Sequence, residues 1–475
     1  MIFSAMSLRR VSLFAMSVVI PCLLQAQSGG DASIAGTMPE DALPDLKRII
    51  ASALKQSPQM IQNEIAISQS EAARYSSASQ RLPQVGASAS YAWNDISADL
   101  AEPPGGFKPG DVRKSRDKSS GPYYGVSASQ PIFTWYAISN QVKMADISIK
   151  ISEKNYGEAY RGLASSLRTQ YLGLIFQKIS RRNQRYSLAQ TERMLALDEA
   201  RLKSGALAPG ELIGPRQGFA TARLAMARTD DIYARSKTQL ARLAGVAPID
   251  DDAIPLEAPK WSSDPGAPAT LAARLQRDGV ETTLQGQINA LRIKDAELTY
   301  KVARTRLYPK FYLSAAATQY NSQNVTPTSV TQASAFSMSY AISGTWTLFD
   351  GFATRGAKLS ALAQKRSHEH MQKNLTLQVA DQVQAAAQGI EFAAQSLELV
   401  EATRAGFLVN LDRVRDEFKR GSLTEDAVAS ATSQLYAQDA AVVAVRIDLL
   451  GRWAELVSLV GSDPVLNQLP ARYVR

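Results

Sequence analysis

The chain of 475 residues has one cysteine, Cys22, and two histidines, His368 and His370. So few soft or imidazole ligands leave no set for a thiolate or histidine metal centre, and histidines two apart fall on different faces of a helix. No segment of about 18 uninterrupted apolar residues follows the N-terminal run, so no later membrane-spanning helix is expected. The glycines of GFATRGAK (351–358) are spaced like a phosphate loop, but Ala357 stands where the lysine is required. No Gly-x-Ser-x-Gly elbow or Cys–His arrangement occurs either. Neither an enzyme nor a cofactor is expected. The formal charge is +9, but the cations are dispersed and lack interleaved aromatics, which argues against nucleic acid.

The N-terminus carries a secretory pattern, with Arg9 and Arg10 before an apolar run and a small-residue site ending at Ala26. Residues 1–26 are expected to leave as a signal peptide, taking Cys22 with them; Pro21 before that cysteine makes a poor lipidation site. Removing two arginines brings the charge to about +7.

The mature chain repeats itself. PIFTWYAISNQVKMA (131–145) is echoed by TLFDGFATRGAKLSA (347–361), and RLKSGAL (201–207) by EFKRGSL (417–423), both at the same offset. A heptad ladder, Leu212, Phe219, Met226, Tyr233 and Leu240, lands under that shared offset on Val428, Leu435, Val442, Leu449 and Leu456. Such a ladder is what a seam of nearly parallel helices needs. The expected plan is an N-terminal extension (27–45), a first repeat (46–245), a Pro-rich connector (246–269), a second repeat (270–461) and a tail (462–475). Within the connector, Asp250 to Asp252 read as an acidic turn rather than a cation site.

Each repeat switches from a helical period to strict alternation. Strands are expected near 84–93, 122–130, 310–320 and 336–346, with one face apolar and the other small and polar. That pattern suits a membrane β-barrel, apolar toward lipid and polar toward the lumen. Four strands cannot close a barrel, and open edges are not tolerated in lipid, so several chains must contribute. Helices are expected over 46–81, 137–202 and 210–244, and again over 270–306, 353–418 and 424–460. The two proline-free stretches 137–202 and 353–418 would each extend about 100 Å, too long for one globular core.

The duplicated units, the junction motifs QPIF and WTLFDG, and the tip patterns RLKSG and FKRGSL resemble the TolC-like outer-membrane efflux family over about 46–461. The resemblance implies an α+β membrane protein: a trimeric, twelve-stranded outer-membrane β-barrel continued by a long periplasmic α-helical barrel. It implies an exit duct serving an inner-membrane pump of the RND or ABC type through a periplasmic adaptor, in drug efflux or type I secretion. Adaptor contacts would then fall on Arg201, Lys203, Gly205 and Leu207, and on Lys419, Arg420, Gly421 and Leu423. Family members narrow the tip with carboxylates six and nine residues after the second glycine, positions held here by Ala427 and Ser430. The pore-constriction candidates are therefore Glu211, Phe418, Glu425 and Asp426. Pro209 and Pro215 have no counterparts in the second copy, so the two tips are expected to differ in shape. The competing reading is a periplasmic or secreted coiled-coil scaffold with small soluble hairpins.

Overall fold

A computed structural model describes residues 38–99, 105–106, 114–261, 264, 266–325 and 329–474. These fall in one unit spanning 36–475, and the signal segment with Cys22 lies outside the described residues. The elements run α1 (Pro39–Ala42), α2 (Pro44–Gln56), α3 (Pro58–Ser79), β1 (Gln84–Asp99), β2 (Lys114–Phe133), α4 (Ala137–Lys203) and α5 (Ile213–Ala244). Then come α6 (Ala267–Asp278), α7 (Leu284–Arg304), β3 (Lys310–Val325), β4 (Val330–Thr345), α8 (Ala353–Lys419), α9 (Glu425–Leu459) and α10 (Ala471–Val474).

The two long helices, α4 and α8, each have 67 residues and begin at positions that the repeat superposes, Ala137 and Ala353. At about 1.5 Å per residue each runs roughly 100 Å. Each folds back on a return helix, α4 on α5 and α8 on α9. The heptad ladder fills these seams: Leu212, Met226, Tyr233 and Leu240 are buried in the first, and Leu435, Val442, Leu449 and Leu456 in the second. Each such side chain contributes about 1.5–3 kcal/mol on leaving water.

Several expected boundaries give way to proline and glycine. The helix expected over 46–81 is the greater part of α2 together with α3, broken because Pro58 opens α3 and pushes Ser57 out of the helical region. The helix expected over 270–306 divides at Gly279, whose φ of +76° ends α6. The first return helix opens with a 3-10 turn, Pro209–Leu212, before α5. All four strands outrun their expected ends toward the hairpin loops, because alternation fades there into polar residues that still pair.

The extension and the tail are also more than appendages. Arg168, buried in α4, donates to Glu40 near the N-terminal end of the described chain and to Asp463 beyond α9, at 2.9 and 2.7 Å. Burial disfavours the charged guanidinium, but the hydrogen bonds and charges of Asp463 and Glu40 outweigh it and hold its pKa above the usual value. Tyr160 donates to Gln468 at 2.9 Å, and Tyr156 stacks on Tyr473 with centroids 4.6 Å apart. Val465, Leu466, Leu469 and Tyr473 thus join the main core, and Met38 and Glu40 are buried. The connector is strapped down as well. Asp251 accepts from Lys237 at 2.6 Å and from Arg181 at 3.0 Å, and the Lys178 ammonium donates to the carbonyls of Asp251 and Ile254. The acidic turn is an anchor for the connector.

Candidate functional site

The first site is the sheet. Its order is β1-β2-β3-β4, antiparallel throughout, and β2 pairs with β3 so that the two repeats share one surface. Register decides which side chains share a face. Val85, Ala87, Ala89, Tyr91 and Trp93 on β1 lie opposite Ala128, Val126, Tyr124, Pro122 and Ser120 on β2. The same face continues through Leu313, Ala315 and Ala317 to Ile342, Tyr340 and Met338 on β4. This apolar face is uncovered: Trp93 is 76% exposed, Ile342 75% and Tyr340 73%. From Val85 to Trp93 the run spans about 27 Å along the strand, enough for a tilted hydrocarbon crossing. The opposite face carries Gly86, Ser88 and Ser90 beside Ser127, Gly125 and Tyr123, then Ala316, Thr318 and Tyr320 beside Ser339, Ser337 and Ala335. The outer edges of β1 and β4 have no strand partner among the described residues.

The sheet meets the helices through strained aromatics. Tyr136 and Phe352 precede α4 and α8 in left-handed backbone, φ +63° and +66°. The Trp135 indole donates to the Pro309 carbonyl at 2.7 Å and that of Trp346 to Leu307 at 3.0 Å, tying each junction to the start of β3. The motifs mark these junctions in the sequence, but the left-handed turn is legible only in the backbone.

The second site is the pair of helical tips. Gly205 and Gly421 have φ of +78° and +79°. In each turn the N–H after the glycine closes on a carbonyl five residues back, Ala206 on Arg201 at 2.9 Å and Ser422 on Glu417 at 3.0 Å. The two turns are therefore alike; the prolines alter only the restart after the first. Arg193 of α4 pairs with Glu425 of α9, placing both tips at one end of the molecule. Arg201, Lys203, Lys419 and Arg420 are exposed there, while Leu207 and Leu423 are half-buried.

The constriction candidates sit in different settings. The Glu211 carboxylate accepts the Ala208 N–H at 2.9 Å, capping the 3-10 turn that Pro209 opens. Glu425 is engaged by Arg193, Asp426 is exposed in the first turn of α9, and Phe418 is 43% exposed. Ala427 packs beside the core of Leu411, Val414, Ala431 and Leu435, where a carboxylate would be poorly solvated.

No group able to hold a metal occurs among the described residues, and no described helix is long and apolar enough to cross a membrane. No curated protein sequence matches the chain. Solved structures do. The outer membrane protein VceC of Vibrio cholerae is 17% identical, with 88% of this chain and 96% of that one covered at a TM-score of 0.61. The CmeC outer membrane channel of Campylobacter jejuni is 14% identical, with 96% and 94% covered at 0.65. The open state of the MtrE outer membrane channel of Neisseria gonorrhoeae is 13% identical, with 90% of each covered at 0.60. The chain has the fold of these channels, long helices carrying a small antiparallel sheet. The family model described as outer membrane efflux protein matches residues 49–246 and 287–462, and the chain belongs to that family.

Proposed function

We propose that three copies of this chain close a twelve-stranded barrel in the outer membrane, over a periplasmic tube of α4, α5, α8 and α9. The duct passively conducts cargo delivered by an inner-membrane pump of the RND or ABC type through a periplasmic adaptor, in a tripartite efflux or type I secretion system. The carrying observation is the four-stranded sheet with one uncovered apolar face and two unpaired edges. Lipid accepts the face but not the edges, so the sheet is satisfied only by joining copies of itself. The helices point the same way: Leu377, Phe392, Leu399 and Val409 of α8 are exposed on the single chain at 66–70%. Adaptor contact is assigned to the basic residues and small turns at Gly205 and Gly421. Pump energy is assigned to the partners.

The decisive comparison is between neighbouring residues of β4. Met338→Arg puts a charge on the face assigned to lipid, at a cost of about 2–4 kcal/mol near the bilayer midplane. Ser339→Arg puts the same charge on the face assigned to the lumen. Met338→Arg should lose carbonate-resistant membrane retention and Ser339→Arg should keep it. A wild-type protein washed off by carbonate would favour a peripheral coiled-coil scaffold instead.

A further inference from the structure

The polar face of the sheet has a composition that the duct reading does not use. From Gly86 to Asn94 on β1, Ser119 to Ser129 on β2, Ser314 to Tyr320 on β3 and Ala335 to Ser343 on β4, no residue on that face is charged. Nearly all are Gly, Ala, Ser or Thr. Its bulky side chains include Tyr312, which lies opposite Pro131 and Ser343 toward the helical end of the sheet, and Tyr123 and Tyr320, the pair that the register sets directly opposite each other. Ser90 and Ala335 extend the same row on the outer strands. Both tyrosines are accessible, 39% and 43% exposed.

The neighbouring wall is shaped to let one of these rings lie down. A Cβ placed on Gly125 would come within 3.3 Å of the Tyr123 ring and 3.6 Å of its hydroxyl. The Tyr123 phenol therefore leans along the wall over residue 125, where a Cβ would crowd it.

We propose that Tyr123 and Tyr320 form a ring-stacking station in the barrel lumen, at which cargo bearing flat, uncharged rings is held on its way out. The proposal rests on the trimeric duct reading, which turns one pair into a collar of six phenols. A barrel of twelve strands is roughly 25 Å across between backbones, so a collar of side chains narrows it without sealing it. Over the rows from Gly86 to Asn94 the wall carries no charge, so there is little electrostatic sorting beside the tyrosines, and the phenols are the groups left there to discriminate. Aromatic pairs gain from stacking beyond the area they bury.

The test uses a reporter thiol in the same row. Ser90→Cys provides it in a chain whose single native cysteine is Cys22. Its rate of modification by a charged, membrane-impermeant methanethiosulfonate reagent is measured on intact cells, with and without caffeine as the flat neutral probe. In the parent, caffeine should slow modification by about threefold to tenfold, the range expected of ring stacking. Tyr123→Phe with Tyr320→Phe should keep that protection. Tyr123→Ala with Tyr320→Ala should lose it and react faster without probe. Equal protection in the alanine variant, or none in the parent, would overturn the station. A thiol that never reacts from outside would overturn the lumen assignment of this face, and with it the duct reading beneath the proposal.

Discussion

Left-handed backbone recurs at four pairs of positions that the internal repeat superposes: Trp135 with Gly351, Tyr136 with Phe352, Gly205 with Gly421, and Gly245 with Gly461. At the junctions aromatic residues accept this conformation at roughly 1–2 kcal/mol each, which their packing must offset. At the helix ends glycine avoids that cost, yet the two end glycines are not equivalent. A Cβ on Gly245 would sit 2.2 Å from the Gln56 carbonyl oxygen, whereas one on Gly461 meets nothing closer than 3.8 Å. Gly461→Ala should therefore cost only the conformational strain, about 1 kcal/mol. Gly245→Ala should cost several-fold more, because backbone must move. Thermal unfolding of the purified protein reads the difference, and equal losses of melting temperature would contradict it.

At the scale of elements, the connector and chain ends are held by ions on α4 and α5. The Lys237 ammonium, hydrogen-bonded to Asp251, holds that carboxyl below its ordinary range against the penalty of burial, with Arg181 adding to the effect. A depressed carboxylate pKa in the folded state means stabilisation that is present above the usual aspartate value. It is lost as pH falls through the lower, folded one. The strap over 246–269 should thus become susceptible to proteolysis below about pH 4. Asp251→Asn should bring that susceptibility to neutral pH, and a resistant variant would show that the apolar contacts of Ile254 and Ala258 suffice. The Arg168 clasp is a separate matter, since losing one partner of a buried pair costs about 3–5 kcal/mol. Neither anchor is apparent in the sequence. Glu40, Arg168 and Asp463 span most of the chain, and nothing local about them signals a meeting.

At the scale of the whole molecule, the tips give the prediction that bears on transport. Nothing lies within 4 Å of a Cβ on Gly205 or Gly421, so a substitution there costs the left-handed strain of about 1–2 kcal/mol but displaces no neighbour in the coil cores of each hairpin. Replacing both with tryptophan should impair export while leaving the oligomer in detergent unchanged, read by size-exclusion chromatography beside a cargo-efflux assay. Undiminished export would remove the tips from adaptor contact. Glu211 illustrates how a residue changes meaning between scales. The family resemblance marks it for the pore, but its carboxylate is spent on the Ala208 N–H. A role in the lumen would have to compete with that cap.

Period and repetition are local or additive properties, so they are readable along the chain. The heptads predict which helical faces pack, alternation predicts which strand faces are apolar, and one constant offset carries residues 131–245 of the first copy onto the second. Proline and glycine punctuation is legible too, although Pro58 separates two helices that a reading by period alone runs together. What folding alone settled are contacts whose partners lie far apart in sequence. They are the pairing of β2 with β3, the facing of Tyr123 and Tyr320, and the meeting of Glu40 and Asp463 at Arg168. Such contacts depend on register and on closing long loops. A one-residue slip would have turned the tyrosines to the other face with every neighbouring residue otherwise unchanged.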